Sequence, residues 1–164
     1  MRAEVNKCLE ILDKGGLILY PTDTVWGIGC DATIDSAIKK VFKLKQRSDS
    51  KALISIVSSY DQLKKLTHVN KEIYFEKPTT VIYNNIKGIS KLAISADGTA
   101  AVRIVNDDFC QQLLSRFNKP IISTSANISE EDTPSCFNEI NRKIINGVDL
   151  SLIHISEPTR LCRI

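Results

Sequence analysis

Histidine and clustered metal ligands are scarce in this sequence. Its 164 residues include two histidines, no Cys-x-x-Cys pair and no recognisable Ser-His-Asp set. Hydrolases with a serine nucleophile and metalloenzymes depend on such groupings of side chains. The sequence therefore argues against both enzyme classes, and we predict no metal site built from protein side chains.

Long apolar runs and closely spaced cysteines are also absent. No run approaches the length of a membrane-spanning helix, and the first residues are too charged for a signal peptide. The cysteines form an odd, scattered set, which is typical of reduced thiols in a cytoplasmic protein. They are Cys8, Cys30, Cys110, Cys136 and Cys162. We predict a cytoplasmic protein with no membrane partner.

The net charge is small, at +3 with both histidines neutral. A charge of this size neither demands nor excludes nucleic acid as a partner. The length fits one domain that is large enough to bury an apolar core. Helix-type and strand-type segments alternate irregularly, so we predict a single α/β domain with a twisted mixed sheet and flanking helices.

Apolar spacing and end signals give the predicted elements. Strands are predicted over residues 17–20, 52–57, 80–83, 100–105 and 120–123. Helices are predicted before Gly15-Gly16, from Thr33 or Asp35 to Leu44, after Ser59, after Asn106, and from Thr133-Pro134 to Gly147.

The first motif with chemical content is YPTDTVWGIG, which follows the first predicted strand. Thr22 and Thr24 place hydroxyl groups where that strand ends. Gly27 and Gly29 allow a close approach of the backbone that a side chain would block. Such a segment offers hydroxyl and backbone N–H groups to an anionic ligand. A purely structural turn between a strand and a helix explains the same residues.

Two cations, Lys45 and Arg47, follow the second predicted helix. Because the chain turns there toward the next strand, both side chains can reach one ligand from different sides. Arginine suits bidentate contact with phosphate or carboxylate, and lysine acts as a compact charge. We expect both to be exposed in the empty pocket. The alternative is a solvated basic stretch, since other lysines surround them.

A polar triplet, Ser123, Ser125 and Asn127, ends the strand PIISTS. If this segment stays extended, the three side chains project to one face of the sheet and Thr124 and Ala126 to the other. Ligands of open α/β sheets often bind at such a strand end. The alternative is a hydroxyl-rich loop cap.

Arg103 lies inside the apolar strand AVRIV. A buried arginine needs an anion or a partner, because an unpaired buried charge is strongly unfavourable. The anion can be a ligand, or Asp97 or Asp107 can form a structural ion pair with it.

Taken in order, YPTDTVWGIGCDA, K-x-R followed by SKAL, AVRIV and PIISTSANIS resemble the YrdC/Sua5 family of threonylcarbamoyl-adenylate synthases. The resemblance runs from about residue 2 to residue 149. It implies a YrdC-like α/β domain with a concave, basic ligand-binding face. It also implies a nucleotidyltransferase that condenses L-threonine, bicarbonate and ATP into threonylcarbamoyl-AMP and pyrophosphate. A partner complex would then transfer the threonylcarbamoyl group to tRNA, next to the anticodon.

The resemblance also implies residue roles. Lys45 and Arg47 would be catalytic and would hold the triphosphate. The full ATP-binding set would be Lys45, Arg47, Arg103, Ser123, Ser125 and Asn127. Thr22 and Thr24 would line the threonine and carbamate pocket. ATP would be a substrate and would carry Mg²⁺, and tRNA or double-stranded RNA would be a further contact. The rival interpretations are a double-stranded RNA-binding module without catalysis and a carbamoyl-transfer domain of the hydrogenase-maturation type.

The C-terminal residues depart from the family pattern. Leu150–Arg160 resembles the translation of a transposase-type sequencing adapter, unbroken over these residues. We therefore predict a YrdC-like domain over 1–149, shortened at its C-terminus, followed by a non-native tail over 150–164 that packs poorly. A natural edge strand over 151–155 is the alternative.

Overall fold

A computed structural model describes residues 1–46 and 53–153 of the chain. The described helices are α1 (Arg2–Asp13), α2 (Asp35–Lys45), α3 (Tyr60–Leu66), α4 (Asp108–Phe117) and α5 (Arg142–Gly147). The described strands are β1 (Ile18–Pro21), β2 (Trp26–Asp31), β3 (Ile54–Val57), β4 (Thr80–Tyr83), β5 (Ala100–Ile104), β6 (Ile121–Ser125) and β7 (Leu150–Ser151).

The strands form one mixed sheet in the order β4-β5-β3-β6-β2-β1-β7. The pairs β3–β5 and β1–β7 are parallel, and the other neighbours are antiparallel. The prediction of a single α/β domain with a mixed sheet and flanking helices is confirmed. A basic charge on the concave face stays a prediction.

The two faces of the sheet bury different sets of side chains. On one face, α1 and α4 pack over β1 and β6, and Tyr20 and Ile121 are fully buried there. On the other face, α2 and α5 pack over β2 and β6, with Ile28 and Ile122 fully buried. Buried apolar area of this kind supplies most of the driving force for folding. Part of the first face extends beyond the helices, and the candidate site lies there.

Strand β2 is not among the strands predicted from the sequence, where a structural turn was one interpretation of these residues. Gly27 and Gly29 weaken the strand signal because glycine is depleted in strands. The structure explains both glycines by close approaches. A Cβ on Gly29 would lie 2.8 Å from the Tyr20 ring, and one on Gly27 would lie 3.4 Å from Ser123 Oγ. Gly29, which weakens the strand prediction, is therefore the residue that lets the Tyr20 ring lie across β2.

Some helix ends agree with the sequence and others differ. The Ser59 hydroxyl caps α3, as predicted, by accepting a hydrogen bond from the Gln62 amide. Asp107, and not Asn106, caps α4, because its carboxylate accepts from the Cys110 amide at 2.8 Å. Helix α2 is preceded by Ile34 and has no side-chain cap. Neither Thr33 nor Asp35, where the helix was predicted to begin, therefore caps it.

The last predicted helix is broken into two pieces. A short 3₁₀ turn covers Phe137–Glu139, and α5 begins later, after Asn141. The Asn141 side chain accepts a hydrogen bond from the Lys143 amide at 3.0 Å and so starts a new helix. Thr133-Pro134 therefore does not open a helix.

The beginning of the predicted tail packs against the domain. Strand β7 pairs with β1, the Leu152 amide donates to the Leu19 carbonyl at 2.9 Å, and Leu152 is buried. Poor packing is therefore wrong for residues 150–152, because β1 has an open edge that these residues pair with. Residues 154–164 lie outside the described residues, and the domain boundary at 149 stays a prediction.

The cysteines are only partly as predicted. Cys8, Cys30 and Cys110 are free and buried. Burial raises the pKa of the Cys8 and Cys30 thiols to about 12, so both stay protonated. Cys136 is disulfide-bonded, which corrects the prediction for that residue.

Candidate functional site

Five predicted site residues meet at one cavity, which we call the Arg103 cavity. They are Thr22, Thr24, Arg103, Ser123 and Ser125. The cavity has a volume of about 270 Å³ and lies between the β1–β2 turn and strands β3, β5 and β6. Residues separated by up to a hundred positions are thus brought together by the sheet, as the motifs predict.

The β1–β2 turn is held by the first threonine of the motif. Thr22 Oγ1 donates to the Val25 carbonyl at 2.7 Å and accepts from the Thr24 and Val25 amides at 3.2 Å. The Thr22 and Thr24 hydroxyls lie 3.2 Å apart. Thr22 therefore builds the turn, and Thr24, which is exposed, presents its hydroxyl at the cavity.

Strand β6 places its two serines at the cavity. Ser123 pairs with Gly29 and Ser125 with Gly27 on the neighbouring strand. Both serines are half-buried, whereas Ala126 is fully buried in the core. The strand predicted over 120–123 is present and covers Ile121–Ser125, but it does not continue to Asn127, which lies beyond its end.

Arg103 faces the cavity from β5. Its Nε donates to Thr80 Oγ1 on the edge strand at 3.0 Å. Within the described ranges it forms no ion pair: Asp97 binds the Thr99 hydroxyl at 2.7 Å, and Asp107 caps α4. The structural ion pairs that the sequence leaves open are therefore not formed. The half-buried guanidinium is available to an anionic ligand.

Lys45 lies in different surroundings from those we expect. Its ammonium donates to the Ser125 carbonyl at 2.5 Å, the Asn127 carbonyl at 2.6 Å and Asn127 Oδ1 at 3.3 Å. Ser125 Oγ also donates to Asn127 Oδ1, at 2.5 Å. We call these three residues the Lys45 cluster. Lys45 is only 2% exposed, so the expectation of an exposed cation is wrong: the turn after β6 supplies carbonyl groups that cover it.

Arg47, the other predicted cation, lies outside the described residues. Its neighbour Gln46 ends α2 in the left-handed conformation, with φ 50°. The chain therefore changes direction immediately after Lys45, as the sequence predicts.

Asp23 is a cavity residue that the sequence reasoning did not select. It lies between the two threonines and lines the Arg103 cavity. Burial raises the pKa of its carboxyl, the Asp107 carboxylate adds to this rise, and Arg103 opposes it. The sequence did contain an indication of this position, since Asp23 lies between two threonines that were predicted to line the pocket.

A second cavity of about 390 Å³ adjoins the first, and Asp23 lines both. It lies between α3, β4 and the segment 72–79, and Tyr60, Tyr74 and Tyr83 form part of its wall. None of the predicted site residues lines it. The Arg103 cavity is therefore the better candidate for the chemistry.

Two further features are absent from residues 1–46 and 53–153. No helix there is long and apolar enough to cross a membrane. Nor do these residues bring together three or more histidine, cysteine or carboxylate side chains that could hold a metal ion.

Comparison with known proteins gives matches over most of the chain. The family model described as "Telomere recombination", that of the Sua5, YciO and YrdC proteins, matches residues 10–161. A threonylcarbamoyl-AMP synthase from Psychromonas ingrahamii is 34% identical over 98% of this chain and 92% of the relative.

Solved structures support the fold. Sua5 of P. abyssi in complex with L-threonine gives a TM-score of 0.81 at 24% identity, over 92% of this chain and 46% of that one. This chain therefore spans about half the length of that protein. YciO of E. coli gives a TM-score of 0.80 at 24% identity, over 93% of this chain and 78% of that one.

Proposed function

The chain belongs to the Sua5/YciO/YrdC family, and on that premise we propose that it is a threonylcarbamoyl-AMP synthase. It would condense L-threonine, bicarbonate and ATP into threonylcarbamoyl-AMP and pyrophosphate. The observation that carries the proposal is the Arg103 cavity, where a guanidinium that forms no ion pair with the described residues meets serine and threonine hydroxyls. Relatives that bear the name of this enzyme add support.

The cavity suits the smaller substrate. Drug-sized ligands occupy pockets of about 300–1,000 Å³, and the Arg103 cavity measures about 270 Å³. A threonine carbamate fits this description better than a whole nucleotide. We assign its contacts to the β1–β2 turn, with Thr22 and Thr24 as the residues proposed.

The nucleotide would then extend from the cavity across the end of β6. We propose that Lys45, Arg47, Arg103, Ser123, Ser125 and Asn127 form its binding set. Arg103 and Ser123 line the Arg103 cavity and would also face the threonine carbamate there. Ser125 supports this path because it belongs to both the Arg103 cavity and the Lys45 cluster. Lys45 would act mainly by fixing the turn after β6, since its ammonium is already bonded to that turn. Arg47 would supply a positive charge suited to bidentate contact with phosphate.

The proposed chemistry is a displacement at phosphorus. A carbamate oxygen forms a bond to the α-phosphorus as the bond to the bridging oxygen breaks, and that electron pair leaves with pyrophosphate. Positioning and positive charge are sufficient for such a reaction, so no protein nucleophile is required. Mg²⁺ carried by the triphosphate would neutralise part of the charge. We assign it no protein ligand.

The wider setting is also a proposal. Threonylcarbamoyl-AMP would pass to a complex that modifies tRNA, in the cytoplasm, and this chain would contact tRNA or double-stranded RNA. RNA binding without catalysis is not favoured, because the relatives bear an enzyme name. Carbamoyl transfer is not favoured for the same reason.

The test is release of pyrophosphate from ATP. We expect release that requires both L-threonine and bicarbonate, with threonylcarbamoyl-AMP detected by mass spectrometry. Carbamoyl phosphate in place of bicarbonate and threonine is the control for the carbamoyl-transfer alternative. Release that does not depend on threonine, or no release at all, would contradict the proposal.

The proposed boundary at residue 149 has its own test. A chain of residues 1–149 lacks β7 and the buried Leu152, and it should keep the melting temperature of the full chain only if these contacts add no stability to the domain. A clear fall would instead show that the contacts of β7 and Leu152 belong to it.

A further inference from the structure

A tyrosine beneath the Arg103 cavity contacts one of its serines. The phenol of Tyr20 donates a hydrogen bond to Ser123 Oγ at 2.8 Å. Tyr20 is fully buried, and its ring passes over Gly29, where a Cβ would lie 2.8 Å from Cε1. Only glycine at that position lets the ring cross β2 and reach the serine. Neither the motif nor the proposed reaction assigns Tyr20 a role.

The burial of Tyr20 fixes the direction of this hydrogen bond. A buried phenol proton needs an acceptor, because an unpaired buried donor is costly. In the described parts of the chain, Ser123 Oγ is the one partner of the Tyr20 hydroxyl. Burial also raises the pKa of Tyr20 well above its usual value, so the phenol keeps its proton. Ser123 must therefore accept this bond, and its own proton has to point elsewhere.

We infer that Tyr20 is a positioning residue that turns the Ser123 hydroxyl into a hydrogen-bond donor aimed at the Arg103 cavity. The inference rests on the proposed function for the identity of the ligand. The Ser125 hydroxyl, two residues later, has the opposite arrangement, because it donates its proton to Asn127 Oδ1. One serine thus offers a proton to the cavity and the other offers lone pairs.

This polarity favours an oxygen that only accepts hydrogen bonds. A carboxylate, carbamate or phosphate oxygen has no proton to offer. Placed near Ser123, it would receive one hydrogen bond from the hydroxyl and charge from Arg103. A ligand group that must itself donate would be disfavoured there. The pair of Tyr20 and Ser123 therefore contributes to selection of an anionic group.

The contact itself is tested by thermal unfolding, without any ligand. Ser123→Ala leaves the Tyr20 phenol buried without an acceptor, and we expect the Tm to fall by roughly 3–10 °C. Tyr20→Phe should cost less, because half-buried Ser123 can bond to water. In the Ser123→Ala background, Tyr20→Phe should raise the Tm, since it removes the orphaned donor. Equal falls in both backgrounds would overturn the inference.

Binding of L-threonine, measured by calorimetry, tests the positioning role. We expect Tyr20→Phe to raise the Kd by about three- to tenfold, because the Ser123 proton is no longer directed. In the Ser123→Ala background the same change should leave the Kd unaltered. Tyr60→Phe is the matched control: Tyr60 is also buried and accepts from the Ile73 amide at 2.8 Å, away from the Arg103 cavity. Its Kd should equal that of the wild type.

The two measurements separate this inference from the proposed function. If the wild-type protein binds no L-threonine, the proposed function fails, and the unfolding cycle still decides whether Tyr20 donates to Ser123. If threonine binds and Tyr20→Phe raises the Kd equally with and without Ser123, the positioning role is overturned and the proposed function stands.

Discussion

Lys45 and Arg103 are two cations near strand β6 with opposite surroundings. Lys45 is 2% exposed, and its ammonium is bonded to the carbonyls of Ser125 and Asn127. Arg103 is half-buried at an open cavity, and the structure shows one hydrogen bond from it, through Nε to Thr80. The charge of Lys45 therefore stabilises the fold, and the charge of Arg103 is available to a ligand in the cavity.

The difference shows that charge alone does not identify a ligand-binding residue. A cation whose donors are occupied by backbone carbonyls stabilises a turn, and its loss is felt as a loss of stability. A cation whose guanidinium faces an open cavity contributes to binding and to the transition state. Substitutions at the two positions should therefore separate stability from activity.

The largest expected effect is on activity at Arg103. We predict that Arg103→Ala lowers the rate of pyrophosphate release by about 100-fold or more, because the charge facing the cavity is removed. The Tm should change by no more than about 2 °C, since no ion pair is lost. Arg103→Lys should restore little, because a lysine cannot reproduce the planar fork. Full activity in Arg103→Ala would contradict the assignment of this guanidinium to the ligand.

The next effect is on stability at Lys45. Lys45→Ala should lower the free energy of unfolding by about 2–4 kcal/mol, or the Tm by roughly 5–15 °C, because buried carbonyls lose their donor. Thermal unfolding checks this, with Lys43→Ala as the control, since Lys43 is an exposed lysine of the same helix. An unchanged Tm with lost activity would assign Lys45 to the ligand and not to the fold.

Ser125 joins the two regions, and its effect should be intermediate. We predict that Ser125→Ala weakens nucleotide binding by about 1–3 kcal/mol, the usual loss for a partner of a charged group. Ser115→Ala, an exposed serine on α4, should leave binding unchanged. A titration with a non-hydrolysable ATP analogue measures both. Equal affinity in the two variants would remove Ser125 from the nucleotide path.

The smallest effect concerns the pH dependence of Asp23. The pKa of Asp23 is raised in the folded state, so the folded protein binds this proton more tightly than the unfolded chain does. At pH 7 the ionised carboxylate therefore lowers the stability of the folded state. Asp23→Asn should therefore raise the Tm by about 1–2 °C at pH 7. The gain should fade as the pH falls below the raised pKa, where Asp23 is itself protonated. If the rise in Tm of Asp23→Asn persists at low pH, it has a cause other than the ionisation of Asp23.

Much of the fold follows from local patterns, and the exceptions have physical reasons. Strand β4 agrees with the prediction because its β-branched and aromatic residues are a local signal for a strand. Strand β2 was missed because glycine weakens the strand signal, and Gly29 is required by the ring of Tyr20, which lies on another strand. Propensity describes a residue alone, whereas Gly29 is explained only by its neighbours in the sheet.

The sequence motifs indicated which of several residues lie together, but not the surroundings of each, and the roles of these residues stay predictions. Motif order correctly brought Thr22, Arg103 and Ser123 to one cavity. The burial of Lys45 was not predictable, because it depends on carbonyls eighty positions further along the chain. The same holds for the bond from Tyr20 to Ser123, which needs the register of three strands.

The most direct test of the account is the pattern of amide chemical-shift changes when L-threonine is added to the isotope-labelled protein. The account predicts the largest changes around the Arg103 cavity, at residues 22–25, Arg103 and Ser123. Smaller changes are expected at Asn127, whose carbonyl is held by Lys45. If the largest changes fall in the Lys45 cluster, or at the cavity beside α3, the assignment of the amino-acid site to the Arg103 cavity is contradicted.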